Sequence, residues 1–169
     1  MEVFVRMGGM NRNVVFSIRA ATNDDVQGIL QCLRAAFAPF RTRYTPAAFR
    51  DTVLSETRLP ERMQRMKIFV AEDECKNIAG TIGCSISGNK AHIRGMAVRP
   101  ALQGCGLAAK LLAAAENEAR AAKCPRMTLN TTEPLERAIH FYRRHGYRAS
   151  GRVRNWFGMP LYQFVKRLE

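Results

Sequence analysis

Gln103-Gly104-Cys105-Gly106-Leu107-Ala108 is the stretch of this chain best suited to chemistry. Its glycines remove side chains, so several backbone N–H groups can converge on one anion. An Ala- and Leu-rich helical segment follows at once, and the dipole at its N-terminus adds to the attraction. A pyrophosphate is the natural ligand of such a turn. A Gly-rich turn that only starts a helix has the same sequence, so the hexad alone establishes an anion site at most. No Gly-Lys-Ser/Thr ending makes it a Walker A loop, and no third glycine makes it a dinucleotide fingerprint. Metal chemistry lacks ligands. Cys32, Cys75, Cys84, Cys105 and Cys124 are widely spaced and form no CxxC pair or Cys/His cluster, so no metal is expected. Free thiols in a reducing cytoplasm are the plain reading.

The elements that must position the hexad follow from periodicity and turn chemistry. Val14 to Ala20 is rich in β-formers and reads as a strand. Thr22-Asn23-Asp24-Asp25 supplies an N-cap and acidic first turn for a helix carrying Val26, Ile29, Leu30, Leu33 and Phe37, ended by Pro39. Pro46 opens a second helix, which stops before Pro60. Lys67 to Glu72, Ile78 to Ser87 and Ala91 to Val98 are strands separated by tight turns, an antiparallel meander. Pro100 to Gly106 is a loop, and Leu107 to Ala122 a helix of high propensity. Arg126 to Thr131 is a strand, Glu133 to His145 a helix closed by Gly146, and Tyr147 to Trp156 and Leu161 to Lys166 are the last strands. The expected order is β-α-α-β-β-β-α-β-α-β-β, a mixed α/β (α+β) layer. Residues 14–169 read as one domain and 1–13 as a flexible lead-in.

Composition narrows the classes. A chain of 169 residues suits one core. No apolar run approaches the roughly 20 residues that span a bilayer, so no membrane partner is expected. The net charge of +13 suits a polyanion or a phosphorylated cofactor. No helix-turn-helix, zinc finger or aromatic–basic platform points to nucleic acid.

Context makes the hexad specific. Arg94-Gly95-Met96-Ala97-Val98-Arg99-Pro100 followed by Gln103 to Ala108 resembles the Gln/Arg-x-x-Gly-x-Gly/Ala motif of the GCN5-related N-acetyltransferase (GNAT) superfamily. Downstream, Ala138-Ile139-His140-Phe141-Tyr142-Arg143-Arg144-His145-Gly146-Tyr147 resembles that superfamily's Ala-x-x-x-Tyr-x-x-x-Gly-Phe/Tyr segment. The two motifs occur in the family's order, and the resemblance runs from about Val14 to the C-terminus. It implies a mostly antiparallel sheet flanked by helices and acetyl-CoA as acyl donor. The strand 91–98 would splay from the strand 126–131, and the acyl-CoA arm would lie between them. Main-chain groups of Met96, Ala97 and Val98 would pair with the pantetheine. Gln103, Gly104, Cys105, Gly106, Leu107 and Ala108 would hold the pyrophosphate, and Asn130 could bond the pantetheine. Tyr142 matches the tyrosine that protonates the departing thiolate and would touch the cofactor. His92, in Ala91-His92-Ile93, stands where histone-acetylating members carry a glutamate; an imidazole titrating near neutrality suits a general base. Glu72 is a second candidate. Leu135 departs from the Asn found there in many members.

Acceptor recognition in this family comes from the first two helices, their connecting loop and the last strands. Phe37, Tyr44 and Trp156 are the candidate acceptor contacts, with Phe40, Phe157, Arg41, Arg43 and Arg154 nearby. This aromatic, basic set suits a small primary amine carrying a carboxylate or phosphate better than a polycation. The expected reaction is direct acetyl transfer in a ternary complex. Acetylation of a protein N-terminus or lysine is the alternative within the class, and a non-catalytic CoA- or RNA-binding module the alternative outside it. The aromatic C-terminal strands could pair across a homodimer.

Overall fold

The computed structural model describes residues 2–6 and 13–168, with side chains from residue 15 onward. Its strands are β1 (Glu2–Arg6), β2 (Asn13–Ala20), β3 (Lys67–Asp73), β4 (Ile78–Ser87), β5 (Lys90–Val98), β6 (Arg126–Thr131), β7 (Arg148–Trp156) and β8 (Met159–Arg167). The α-helices are α1 (Val26–Phe37), α2 (Pro46–Thr52), α3 (Arg58–Arg65), α4 (Leu107–Ala121) and α5 (Glu136–Arg144). The strands form one sheet in the order β1-β2-β3-β4-β5-β6-β8-β7. Every neighbouring pair is antiparallel except β5–β6, which is parallel. The expected meander is therefore present, embedded in a mixed sheet.

Each face carries its own core. On one, α4 buries Leu107, Leu111, Leu112, Ala115 and Ala119, a stripe at helical spacing. They pack with Ala91, Ile93, Met127, Leu129, Tyr142 and Tyr147. On the other, Ile29, Leu30, Leu33 and Ala36 of α1 meet Leu59 of α3, Val70 and Ala97. Alternation along β5 sends Ala91 and Ile93 toward α4, and His92 and Arg94 to the opposite face.

The structure corrects the expected elements in four places. Glu2–Arg6 pairs with β2 as a strand, an element the expected order lacks; the rest of that segment before Asn13 lies outside the described residues. The second expected helix is two helices. Val53 leaves the helical region at ψ 89, and Ser55 Oγ then accepts from the Arg58 amide at 3.3 Å to start α3. Pro60 therefore does not stop a helix. It stands in the first turn of α3, where its missing N–H would have no partner anyway. Last, α5 begins at Glu136 rather than Glu133. Pro134 disfavours helical geometry at Glu133, and Thr132 to Leu135 forms a turn closed by the Leu135 amide on the Thr132 carbonyl at 3.1 Å.

Candidate active site

A break in the sheet organises the site. β5 and β6 pair only from Lys90↔Arg126 to Ile93↔Leu129. Between Gly83↔Arg94 and Thr81↔Ala97, β5 holds one residue more than β4. Gly95 takes up this bulge at φ +67°, a left-handed conformation glycine adopts without steric cost. A bulge bends the strand that carries it. Past it, Arg94 to Val98 have no strand partner toward β6 among the described residues. Met96, Ala97 and Val98 lie on this open edge. Asn130 is the first residue of β6 beyond the last shared pair, is exposed, and is held from the far side by Gln163 of β8.

The hexad closes one end of the gap. Gly104 and Gly106 both stand at φ +86°, and Gly106 caps α4 without any side-chain cap. Among the described residues, no acceptor meets the amides of Gly104, Cys105, Gly106, Leu107 and Ala108. Leu107 is buried and anchors the turn. Gln103 acts as a brace, its Nε2 donating to the Val98 carbonyl at 3.2 Å while its Oε1 accepts from Arg137 at 3.4 Å. The Cys105 thiol donates to the Leu102 carbonyl at 2.7 Å. Uncapped N–H groups at the positive end of a 15-residue helix fit a pyrophosphate. Nothing lies within 4 Å of a Cβ added to Gly106, so Gly106→Ala meets only backbone strain of about 1–2 kcal/mol. We expect the substitution to weaken CoA binding by about tenfold as the amides turn away, read by calorimetric titration; an unchanged affinity would show that this turn does not hold the phosphates.

Tyr142 reaches the gap from the α4 face. It is 7% exposed, its ring packed on Phe141 and Tyr147 at centroid distances of 5.4 and 5.7 Å. Its O–H donates to Met96 Sδ at 3.1 Å. Burial raises the phenol's pKa above its usual value, so it stays protonated. A thioether is a weak acceptor; the proton is thus aimed at the open edge of β5 and loosely held.

His92 lies on the opposite face, half-buried, with Nδ1 2.9 Å from Thr128 Oγ1. Thr128 donates its own proton to the Ala91 carbonyl at 3.2 Å. Its oxygen is then an acceptor for Nδ1–H, which leaves Nε2 as the proton-accepting nitrogen. Burial, then Arg94 and Arg154, lower the imidazole's pKa. His92 is therefore neutral at pH 7, a state that accepts a proton. Below the unfolded pKa the unfolded chain binds a proton that the folded chain resists, so His92 destabilises the fold as pH falls. For catalysis, we expect the acid limb of kcat against pH to lie below the usual histidine range and to vanish in His92→Gln. A limb that survives would belong to another group. Glu72 is no rival. Arg19 at 2.5 Å and Lys76 at 3.0 Å hold its carboxylate, Arg19 foremost lowering its pKa to about 2. His140 is exposed on α5, and His145 stacks on Phe141 at 4.2 Å.

The expected acceptor residues come together as an aromatic cluster. Tyr44 meets Phe37 and Trp156 edge-on at 6.5 and 6.3 Å. Tyr44 itself is 8% exposed and its hydroxyl meets Thr132 Oγ1 at 2.7 Å, so it forms wall more than contact. Trp156 Nε1 donates to Asp51 Oδ2 at 3.1 Å. Asp51 was not singled out in the sequence, yet it is buried and gathers Arg58 at 3.1 Å, Arg62 at 3.8 Å and Arg94. The signal was present: Ala48 and Asp51 share a helical face, so a carboxylate at the buried phase of α2 demanded cationic partners. Among the described residues, no group of three or more His, Cys, Asp or Glu could hold a metal ion, and no helix is long and apolar enough to cross a membrane.

An uncapped helix start stands beside a parted strand pair, with a buried phenol aimed into the gap. Residues 27–147 match the acetyltransferase (GNAT) family, and the chain belongs to that family of acyltransferases. It is similar to the PaiA N-acetyltransferase of Thermoplasma acidophilum, solved with coenzyme A, at 17% identity over 90% of this chain and 98% of that one, with TM-score 0.74. It is also similar to the ribosomal-protein-S18-alanine N-acetyltransferase of Escherichia coli, at 18% identity over 91% and 94% of the two chains, with TM-score 0.74. A GNAT-family acetyltransferase of Staphylococcus aureus matches at 16% identity over 91% and 99%, with TM-score 0.75. At these identities the likeness is one of fold. No curated protein sequence matches the chain.

Proposed function

We propose that this protein transfers an acetyl group from acetyl-CoA to the primary amine of a small molecule, directly, within a ternary complex. The observation that carries this reading is the Tyr142 hydroxyl set against Met96 where β5 has left β6. Acetyl-CoA brings an activated thioester whose thiolate is the leaving group. The amides from Gly104 to Ala108 bind its pyrophosphate, and the free edge of Met96, Ala97 and Val98 with Asn130 orients its arm. His92 Nε2 takes the proton from the incoming ammonium, directly or through water. Tyr142 gives its proton to the departing sulfur. Phe37, Tyr44 and Trp156 wall the acceptor side. Five free cysteines fit a reducing cytoplasm as its location.

The test is thiol release from acetyl-CoA with a panel of small amines and N-terminal peptides. Faster release with a small amine supports the reading. Release with peptides alone replaces the small molecule by a protein N-terminus. No release with either sinks the enzyme reading.

A further inference from the structure

On the acceptor side of the gap, cations outnumber their counter-ion. Arg58, Arg62 and Arg94 converge on the single carboxylate of Asp51. Among the described residues, Arg94, Asp51 and Arg58 are the charged groups that act on Arg62. Its side chain is only 12% exposed, and its Nη2 donates to the Asp51 main-chain carbonyl at 3.2 Å. Its Nη1 has no hydrogen-bond acceptor among the described residues, and lies 3.9 Å from where a Cβ on Gly95 would stand. Gly95 is the bulge residue next to Met96, on which the Tyr142 hydroxyl rests. The unmatched guanidinium edge is thus adjacent to the reacting end of the cleft. Burial above all, then Arg94, lowers its pKa to about 10. Desolvation of a guanidinium and a like charge beside it both act in that direction.

From this we infer that Arg62 and Arg94 form an anion-recognition subsite, and that the acceptor is an amine carrying a carboxylate or phosphate. The inference rests on the acyltransferase reading of the cleft and names the acceptor class for it. Asp51 and Trp156 are the positioning groups. Asp51 fixes the guanidinium planes, and Trp156 shares Asp51 Oδ2 with Arg94 and steadies that carboxylate. Guanidinium suits both anions because its paired N–H donors match two oxygens of either. A bound anion completes a charge balance that the fold leaves open.

The experiment uses the full-length protein saturated with CoA, which keeps added anions out of the phosphate turn. Calorimetric titrations with O-phosphoethanolamine, β-alanine and neutral ethanolamine are run on wild type, Arg62→Gln, Arg62→Lys and Arg94→Gln. Thiol release from acetyl-CoA is measured with the same amines. We expect the anionic amines to bind about tenfold or more tighter than ethanolamine. Arg62→Gln and Arg94→Gln should each erase that preference, and Arg62→Lys should keep part of it. Whether phosphoethanolamine or β-alanine leads identifies which anion the subsite takes. Ethanolamine binding as tightly as both, no binding of any of them, or a preference that survives both Gln variants overturns the inference. Anion-selective binding without thiol release would keep the subsite and sink the enzyme reading instead.

Discussion

Replacing Tyr142 by Phe lowers kcat for acetyl transfer by about a hundredfold or more, the usual worth of a positioned general acid, and leaves the KM for acetyl-CoA nearly unchanged. The substitution removes one oxygen and keeps the ring against Phe141 and Tyr147. The hydroxyl's only protein partner among the described residues is the Met96 thioether, so its loss orphans no strong acceptor and costs little stability. A hundredfold loss is about 2.7 kcal/mol of transition-state stabilisation at about 1.36 kcal/mol per decade. Equal kcat values in wild type and Tyr142→Phe would leave Tyr142 as a core aromatic and place the acid elsewhere. An intact melting temperature beside a low rate is the combination that assigns it to chemistry.

The largest stability effect falls at Glu116, on the same face but away from the reaction. Its carboxylate is 6% exposed. It accepts from Lys166 at 2.8 and 2.9 Å, from Arg120 at 3.2 Å and from Tyr147 at 3.2 Å. Removing one partner of a buried pair leaves the others uncompensated, typically at about 3–5 kcal/mol. Lys166 and Arg120 keep some solvent at 23% and 38% exposure, so we expect Glu116→Ala to cost about 3 kcal/mol, the low end of that range. For a chain of this size that lowers Tm by about 6–12 °C. Pairing the change with Lys166→Met removes the stranded ammonium, and Glu116→Leu/Lys166→Met should regain much of the loss. If Glu116→Ala melts within about a degree of wild type, the network contributes no net stability.

The fold was legible wherever a local rule decided it. Thr22 and Asp25 form the expected helix start, with the Thr22 amide on Asp25 Oδ2 at 2.7 Å. The apolar stripe of α4 and the glycines ahead of it stand where their spacing put them. The start of α5 was missed although Pro134 marks it locally; the other misreadings turned on what a neighbour supplies. Pro60 reads as a stop only if a helix is assumed to precede it, and the hydroxyl of Ser55 starts one there instead. Glu2–Arg6 is a strand because β2 offers an edge to it, which no local pattern announces. The site divides in the same way. The glycine turn ahead of α4 and Tyr142 each lie within a contiguous motif, so their positions could be read locally. The tautomer of His92 depends on Thr128, reached only through parallel pairing of β5 and β6. Asp51 and Arg94 are 43 residues apart and meet only after folding.

The parted strands have a mechanical side. Only the pairs from Lys90↔Arg126 to Ile93↔Leu129 stitch β1–β5 to β6, β8 and β7. The sheet is in effect two panels joined at a short seam, and the seam opens toward the reacting end. An extended ligand lying along Met96 to Val98 would act as a lath across that opening, lengthening the join. Occupancy of the cleft would then stiffen one panel against the other. The same hydrogen bonds that select the donor would set how rigidly Tyr142 and His92, one carried on each side of the sheet, are held in register for the transfer.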